Sequence, residues 1–262
     1  MHEPATAIEE ARRAIKELNF VGIILNDFQQ YIDSNGQMQM RFYDQPEYDE
    51  FWKVISEELQ VPVYIHPRLA IPQHIQQFLS GRIWLHASAY YFAHGVSLHL
   101  LGMVVNGVFD RFPKLKIILG HMGEHVVGHR WRTDHRLEAV QSGRGLPMKE
   151  KLDTYFKRGN IYITTSGHFS TNALNFAINE IGSERIMFSI VFLFLDFLMQ
   201  DYPYEVAGDL QYSCEWWEAI HDGKEYKNSP GKIEGLNEEQ WWKMTRGTAI
   251  EILGLKLDSQ KP

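Results

Sequence analysis

The sequence predicts an α/β fold built on a parallel sheet. Short apolar runs of strand length alternate along the chain with longer segments whose apolar residues recur at about 3.6-residue spacing. Strands that alternate with helices form parallel sheets with right-handed crossovers. Five such units fit either a small doubly wound sheet or part of an eight-stranded barrel, and both place functional residues at the carboxyl ends of the strands. The predicted strands cover 20–26, 61–66, 116–120, 160–165 and 186–190.

The segments between these strands support the alternation. Polar loops follow the first two strands at 27–44 and 68–80, and the first contains the Ser34-Asn35-Gly36 turn signal. Loops in these places lie at the carboxyl edge of the predicted sheet, where ligands bind. The predicted helices cover 4–18, 45–59, 84–112, 124–140, 149–156, 172–181, 210–221 and 238–253.

Composition excludes several classes of partner. The net charge is −7, from 26 basic and 33 acidic residues, and no basic stripe indicates nucleic-acid binding. A lone cysteine, Cys214, excludes an intrachain disulfide framework and favours the reducing cytoplasm. No apolar stretch reaches the roughly 18 residues of a membrane span. We therefore expect a cytoplasmic protein with neither a nucleic-acid nor a membrane partner.

Three predicted strands end in, or lead toward, side chains that can hold a metal. His66 ends the second strand and is followed by Pro67. His121 and Glu124 follow the third strand, and Asp201 lies beyond the fifth. Imidazoles and a carboxylate suit Zn²⁺, with Mn²⁺ or Mg²⁺ as alternatives if further oxygen ligands join. The coincidence of these residues at strand ends favours one functional site over three structural side chains.

Each residue also has a structural interpretation. A histidine at a strand end, such as His66 or His121, can simply form a hydrogen bond in the core or at the rim. Asp201 could cap the helix that follows it. Arg132 could be a solvated arginine on the helix predicted at 124–140. The spacing alone leaves these alternatives open.

Together, four segments resemble the amidohydrolase-superfamily decarboxylases, especially the group with 2,3-dihydroxybenzoate, γ-resorcylate and salicylate decarboxylases. The resemblance runs from about Glu3 to Leu255. It implies a (β/α)8 TIM barrel of the metal-dependent hydrolase type, one divalent metal ion, and non-oxidative loss of CO₂ from a hydroxylated benzoate such as 2,3-dihydroxybenzoate. The segments are VYIHPR at 63–68, ILGHMGE at 118–124, WRTDHR at 131–136 and DYPYE at 201–205.

The resemblance also implies roles for individual residues. His66 and Asp201 would be metal ligands, and Asp201, His121 and Glu124 would be catalytic. Arg132 would bind a small aromatic carboxylate substrate, either within its own chain or across a subunit interface. The resemblance further implies a homo-oligomer, a dimer or tetramer, when the protein is full-length.

Two departures from the family pattern shape these expectations. The family opens with a strand that carries a glutamate-containing metal motif, followed by two more strands, and none of these three precedes the first helix here. We therefore expect a single domain over 1–262 that is an N-terminally truncated barrel with about five of its eight strands. The family also runs FS-x-DYP without interruption, whereas residues 191–200 intervene here between Ile190 and Asp201, so we predict an aberrant insert. Asp196 within that insert is an alternative acid, but the DYPYE context favours Asp201.

Two other functions compete with decarboxylation. A metal-dependent hydrolase of the same superfamily would act on a lactone or an amide, with the aspartate deprotonating a metal-bound water. A non-catalytic barrel remnant would follow from the missing strands and the missing first ligand. CO₂ release, lactone hydrolysis and metal content separate the three.

Overall fold

The computed structural model describes residues 1–190 and 205–257, apart from the side chains of residues 139–144 and 205–210. The described strands are β1 (Ile23–Asn26), β2 (Gln29–Ile32), β3 (Met38–Arg41), β4 (Val63–His66), β5 (Ile117–Leu119), β6 (Ile161–Thr164) and β7 (Ile186–Met187). The described helices are α1 (Pro4–Lys16), α2 (Asp49–Lys53), α3 (Pro72–Phe78), α4 (Tyr91–Val105), α5 (Val108–Arg111), α6 (Val126–Arg144), α7 (Leu152–Arg158), α8 (Thr171–Ile181), α9 (Glu205–His221), α10 (Glu238–Trp242) and α11 (Thr248–Ile252). Short π-helical segments, Val54–Leu59 and Lys243–Gly247, extend α2 and join α10 to α11.

The main sheet has five strands in the order β1-β4-β5-β6-β7. The β1–β4, β4–β5 and β6–β7 pairs are parallel, which confirms the predicted α/β class with a parallel sheet. All residues of β5 and β6 are buried, as expected for parallel strands covered on both faces. Each predicted strand exists, although every observed strand is shorter than its predicted range.

The chain forms two compact units. The first comprises residues 1–119 and 123–162, and the second comprises residues 120–122 and 163–262. In the first unit, apolar side chains of β4 and β5 form the core together with α4. Its fully buried members include Val63, Ile65, Val96, Leu100, Ile117 and Leu119.

In the second unit, aromatic side chains pack around the helix α8. Trp216 is buried, and its indole N–H donates to the Thr171 hydroxyl oxygen over 3.0 Å. The Thr171 backbone N–H in turn donates to the Ser229 hydroxyl over 2.7 Å. The start of α8 is therefore fixed by buried polar contacts, which a buried helix end needs. The expectation of one domain over 1–262 stays a prediction.

Two segments differ from their predicted structure. The loop predicted at 27–44 contains an antiparallel hairpin, because β2 and β3 pair across the Ser34-Asn35-Gly36 turn. The helix predicted at 84–112 is divided into α4 and α5, because Gly107 adopts a left-handed φ of 69° between them. Residues 191–200, the predicted insert, lie outside the described residues. Within the described ranges, no helix combines the length and the apolarity needed to cross a bilayer.

Candidate active site

His66 is the last residue of β4 and is held by its neighbours in an extended conformation. Its ring Nδ1 lies 2.9 Å from the backbone oxygen of Pro67, so Nδ1–H donates and the lone pair of the imidazole is on Nε2. A hydrogen bond from Nδ1–H to a backbone carbonyl is the usual way in which proteins orient a metal-binding histidine. Pro67 also confines His66 to extended backbone. The local geometry of His66 therefore fits a metal ligand.

The exit of β5 follows a different path. Directly after Leu119 and Gly120 the chain makes a left-handed turn, with φ of 48° at His121, 60° at Met122, 76° at Gly123 and 53° at Glu124. Non-glycine residues with such φ values are strained by roughly 1–3 kcal/mol each, and they concentrate at functional sites. The turn places the predicted catalytic residues His121 and Glu124 on one short piece of backbone, and both are half-buried.

β4 and β5 end at the same edge of the sheet. They are parallel neighbours, with Ile65 opposite Leu119 in the register. His66 lies one residue beyond Ile65, and the left-handed turn begins shortly after Leu119. The carboxyl ends of neighbouring parallel strands are where α/β enzymes assemble their sites, and His66 lies at such an end.

Arg132 lies on α6 and is exposed. It lines a groove of about 420 Å³ between α4 and α6, which also contains His125, His129 and Arg136. The other lining residues are Ser97, Leu101, Val105, Thr133 and Leu137, so the described lining contains no carboxylate. Burial lowers the pKa of His125, and His129 and His94 act in the same direction, whereas Glu124 opposes them. An exposed arginine in a cationic groove can attract an anionic ligand, but its substrate contact stays a prediction.

Asp201 and the alternative acid Asp196 lie outside the described residues. The chain is described up to Ile190. Just before that residue, the side chain of Thr165 holds the backbone of Ser189. The Thr165 hydroxyl donates to the Ser189 backbone oxygen over 3.0 Å and accepts from the Ser189 N–H over 3.1 Å. The described ranges contain no group of three histidine, cysteine, aspartate or glutamate side chains that could hold a metal. The predicted convergence of His66, His121 and Asp201 on one metal ion stays a prediction.

Asp27, which follows β1 directly, is a residue of this edge that the sequence analysis placed only within a loop. Its side chain is fully buried, and neither carboxyl oxygen has a hydrogen-bond partner among the described residues. Burial raises the pKa of Asp27 to about 8, although nearby backbone amides and the charge of Arg68 oppose the shift. An acidic residue directly after an apolar run was the available signal, because Asp27 follows Asn26, the register partner of His66 on β4.

This chain is an α/β protein with a histidine at the carboxyl end of a parallel strand, which is where α/β enzymes place their functional residues. The amidohydrolase family profile matches residues 1–190, and the chain belongs to that family. The resemblance noted from the sequence is thereby confirmed, because the chain belongs to this family and its relatives are named decarboxylases.

Relatives with known functions agree with this assignment. The γ-resorcylate decarboxylase of Rhodococcus jostii (strain RHA1) is 37% identical over 219 residues, which are 84% of this chain and 62% of that protein. A crystal structure of 2,6-dihydroxybenzoate decarboxylase complexed with 2,6-dihydroxybenzoate matches with a TM-score of 0.78 and 34% identity, over 97% of this chain and 68% of that one.

A third relative was solved with a metal. The dihydroxybenzoic acid decarboxylase of Polaromonas sp. JS666, with bound manganese and the inhibitor 2-nitroresorcinol, matches with a TM-score of 0.77 and 33% identity. The match covers 97% of this chain and 67% of that one. This chain thus spans about three fifths to two thirds of the length of these relatives.

Proposed function

We propose that this protein is a metal-dependent, non-oxidative decarboxylase of a hydroxylated benzoate, built on a (β/α)8 barrel to which the five-stranded sheet contributes. The observation that carries the proposal is the oriented imidazole of His66 at the carboxyl edge of the sheet, beside the exit that bears His121 and Glu124. The names of the relatives support the reaction class, since they act on or bind dihydroxybenzoates.

His66 and Asp201 are the proposed ligands of the metal, whose bound form would supply Lewis acidity to the substrate carboxylate and to the neighbouring phenol oxygen. Zn²⁺ was expected from the residue types, and the manganese in a related structure makes Mn²⁺ an equal candidate. The Nδ1–H hydrogen bond to Pro67 places the lone pair of the His66 imidazole on Nε2, which is the atom proposed to bind the metal. The role of Asp201 rests on the sequence resemblance.

The reaction needs one proton delivered to the ring carbon that bears the carboxylate. Asp201 in its protonated form gives that proton to carbon, and the carbon–carbon bond to the carboxylate then breaks. The bonding electrons return to the ring, which regains aromaticity as CO₂ leaves. His121, oriented by Glu124, holds the phenolic oxygen or moves its proton during these steps. Arg132 binds the substrate carboxylate, in the same subunit or across the interface of a homo-oligomer in the cytoplasm.

The substrate is proposed to carry a hydroxyl group next to its carboxylate. The sequence analysis expected 2,3-dihydroxybenzoate, whereas the relatives indicate 2,6-dihydroxybenzoate. The test incubates the purified chain with Mn²⁺ or Zn²⁺ and each of these acids, and measures CO₂ release by isotope-labelled carboxylate. The isomer 3,5-dihydroxybenzoate, which has no adjacent hydroxyl, is the matched control and should release none.

Three outcomes separate the competing functions. CO₂ release from either acid with an adjacent hydroxyl supports the proposal. Hydrolysis of an aryl lactone without CO₂ release would assign a hydrolase of the same superfamily instead. A chain that binds neither metal in stoichiometric amount and turns over neither substrate would be a non-catalytic member of the family.

A further inference from the structure

Two buried acidic side chains of the first unit pack against glycines on the same face of α4. Gly95 and Gly102 are seven residues apart, which is two helical turns, so they share that face. A methyl group added to Gly95 would overlap Oδ2 of Asp27, and one added to Gly102 would lie 2.7 Å from Oδ2 of Asp44. The absence of a side chain at each glycine is therefore what admits each acid.

Of these two contacts, the one between Gly95 and Asp27 is connected to His66 in the candidate site. The backbone N–H of Asp27 donates to the backbone oxygen of His66 over 2.8 Å and so adds one more hydrogen bond beyond the paired residues Asn26 and His66. The peptide unit that this bond fixes joins His66 to Pro67, whose oxygen accepts the His66 Nδ1–H. Contacts thus run without interruption from Gly95 through Asp27 to the imidazole of His66.

The contact between Gly102 and Asp44 is connected to a different part of the chain. Oδ2 of Asp44 accepts a hydrogen bond of 2.7 Å from the amide of Asn106, which lies one helical turn beyond Gly102. Its other oxygen accepts from Gln45 over 3.2 Å. Asp44 therefore attaches its loop to the end of α4. The two acid–glycine pairs pack alike, but Asp27 bonds to the backbone of His66, whereas Asp44 bonds to Asn106.

We propose that Asp27 is a positioning residue for His66, and that Gly95 is the position on α4 that allows Asp27 to hold the peptide between His66 and Pro67. The side chain of Asp27 fits the space above Gly95, and its backbone N–H fixes the carbonyl of His66. The assignment of His66 as a metal ligand rests on the proposed function, whereas the orientation of its ring does not.

The first experiment compares Gly95→Ala with Gly102→Ala. Both variants gain the same helix propensity, and both place a methyl group too close to an oxygen of a buried carboxyl group, overlapping it at Gly95 and 2.7 Å from it at Gly102, so they are destabilised in the same way. Long-range ¹H–¹⁵N NMR of the metal-free chain reports the tautomer of His66, whose signals are identified by their loss in His66→Gln. We expect the Nδ1–H tautomer in the wild type and in Gly102→Ala, and a mixture of tautomers in Gly95→Ala.

The same variants are titrated with Mn²⁺. Loss of a group that orients a metal ligand commonly weakens affinity by roughly 10–100-fold, so Gly95→Ala should raise the dissociation constant by about tenfold or more. Gly102→Ala should leave it within about twofold. Equal effects of the two variants on the tautomer and on affinity would reduce the contact at Gly95 to ordinary packing and would overturn the proposal.

The second experiment changes Asp27 itself and applies even if Gly95→Ala does not fold. Asp27→Asn keeps the shape and the backbone N–H, so it should retain the Nδ1–H tautomer of His66. Asp27→Ala removes the carboxyl group that fits above Gly95, so His66 should no longer keep the Nδ1–H tautomer alone. If Asp27→Asn behaves like Asp27→Ala, the carboxyl group acts directly rather than by position, and the proposal is wrong.

The two readouts separate this inference from the proposed function. A wild-type chain that binds no Mn²⁺ counts against the metal-dependent reaction, yet the tautomer of His66 still tests the positioning. A tautomer that is insensitive to Gly95→Ala and to Asp27→Ala overturns the positioning, whether or not metal binds.

Discussion

A histidine ends β4, and another follows β5 closely, but the backbone conformations at the two strand ends are different. At β4 the backbone stays extended, and Pro67 and two hydrogen bonds fix His66 without strain. At β5 the chain turns through left-handed conformations at His121, Met122 and Glu124, which side chains other than glycine adopt at a cost. The first exit is specified by local bonding, whereas the second depends on packing that holds a strained turn in place.

The largest expected effect separates the roles of the two histidines. His66→Ala should remove a ligand and abolish tight Mn²⁺ binding, and activity should be lost with it. His121→Ala should leave Mn²⁺ affinity within about threefold but lower turnover by roughly 10²–10⁴-fold, as expected for a lost proton-transfer group. Metal titration and CO₂ release measure the two effects. His221→Ala, at the exposed end of α9, is the control. Equal loss of metal in both exit variants would contradict the division of roles.

The next prediction concerns how the free energy of unfolding depends on pH through a histidine of α4, the helix that packs against Asp27. His99 lies between Gly95 and Gly102 on α4, and burial lowers its pKa to about 4, with the charge of Asp44 in opposition. The unfolded chain binds a proton at His99 below its ordinary pKa of about 6.5, whereas the folded chain does so only near 4. Stability contributed by neutral His99 is therefore present above pH 6.5 and is lost as the pH falls toward 4, by up to about 3 kcal/mol.

His99→Gln tests this sign. The glutamine can still accept the backbone N–H of Tyr43, which His99 Nε2 accepts over 3.0 Å, but it does not titrate. We expect the free energy of unfolding of the variant, measured with urea at several pH values, to fall less between pH 6.5 and pH 4 than that of the wild type. A parallel pH dependence in the two proteins would show that His99 is not the source.

A smaller effect tests the strain of the β5 exit. Gly123 has a φ of 76° within the left-handed turn, so Gly123→Ala should destabilise the protein by about 1–2 kcal/mol. Gly128 lies on α6 with open space where a methyl group would go, and Gly128→Ala should stabilise the protein by about 1 kcal/mol. Urea unfolding at neutral pH measures both. Changes of the same sign would mean that the turn does not constrain the backbone as described.

The smallest effect concerns the β4 exit. Pro67→Ala removes no hydrogen-bond donor and keeps the backbone oxygen that accepts His66 Nδ1–H. It increases the freedom of the unfolded chain, so the free energy of unfolding should fall by about 0.4–1 kcal/mol. Unfolding by urea checks this value. A loss of several kcal/mol would indicate that the exit depends on Pro67 more strongly than an unstrained, bonded strand end should.

Periodicity was sufficient for the strands and for the class of fold. Buried parallel strands are nearly continuous apolar runs, so β4, β5 and β6 were recognisable without other information. The hairpin of β2 and β3 was missed because its sequence is largely polar and lacks a clear alternation. The break at Gly107 was missed because an isolated glycine does not by itself end a helix; the fold sets its left-handed φ.

Residue types and their positions after apolar runs determined from the sequence alone that His66, His121 and Glu124 belong to the edge of a parallel sheet. The tertiary structure decided the rest: the tautomer of His66 and the burial of Asp27 against Gly95, which is distant in sequence. The physical reason is that burial and hydrogen-bond geometry depend on which distant segments pack together. The carboxyl group of a loop residue becomes buried, and a helical glycine becomes necessary beside it, only when the fold brings the two into contact.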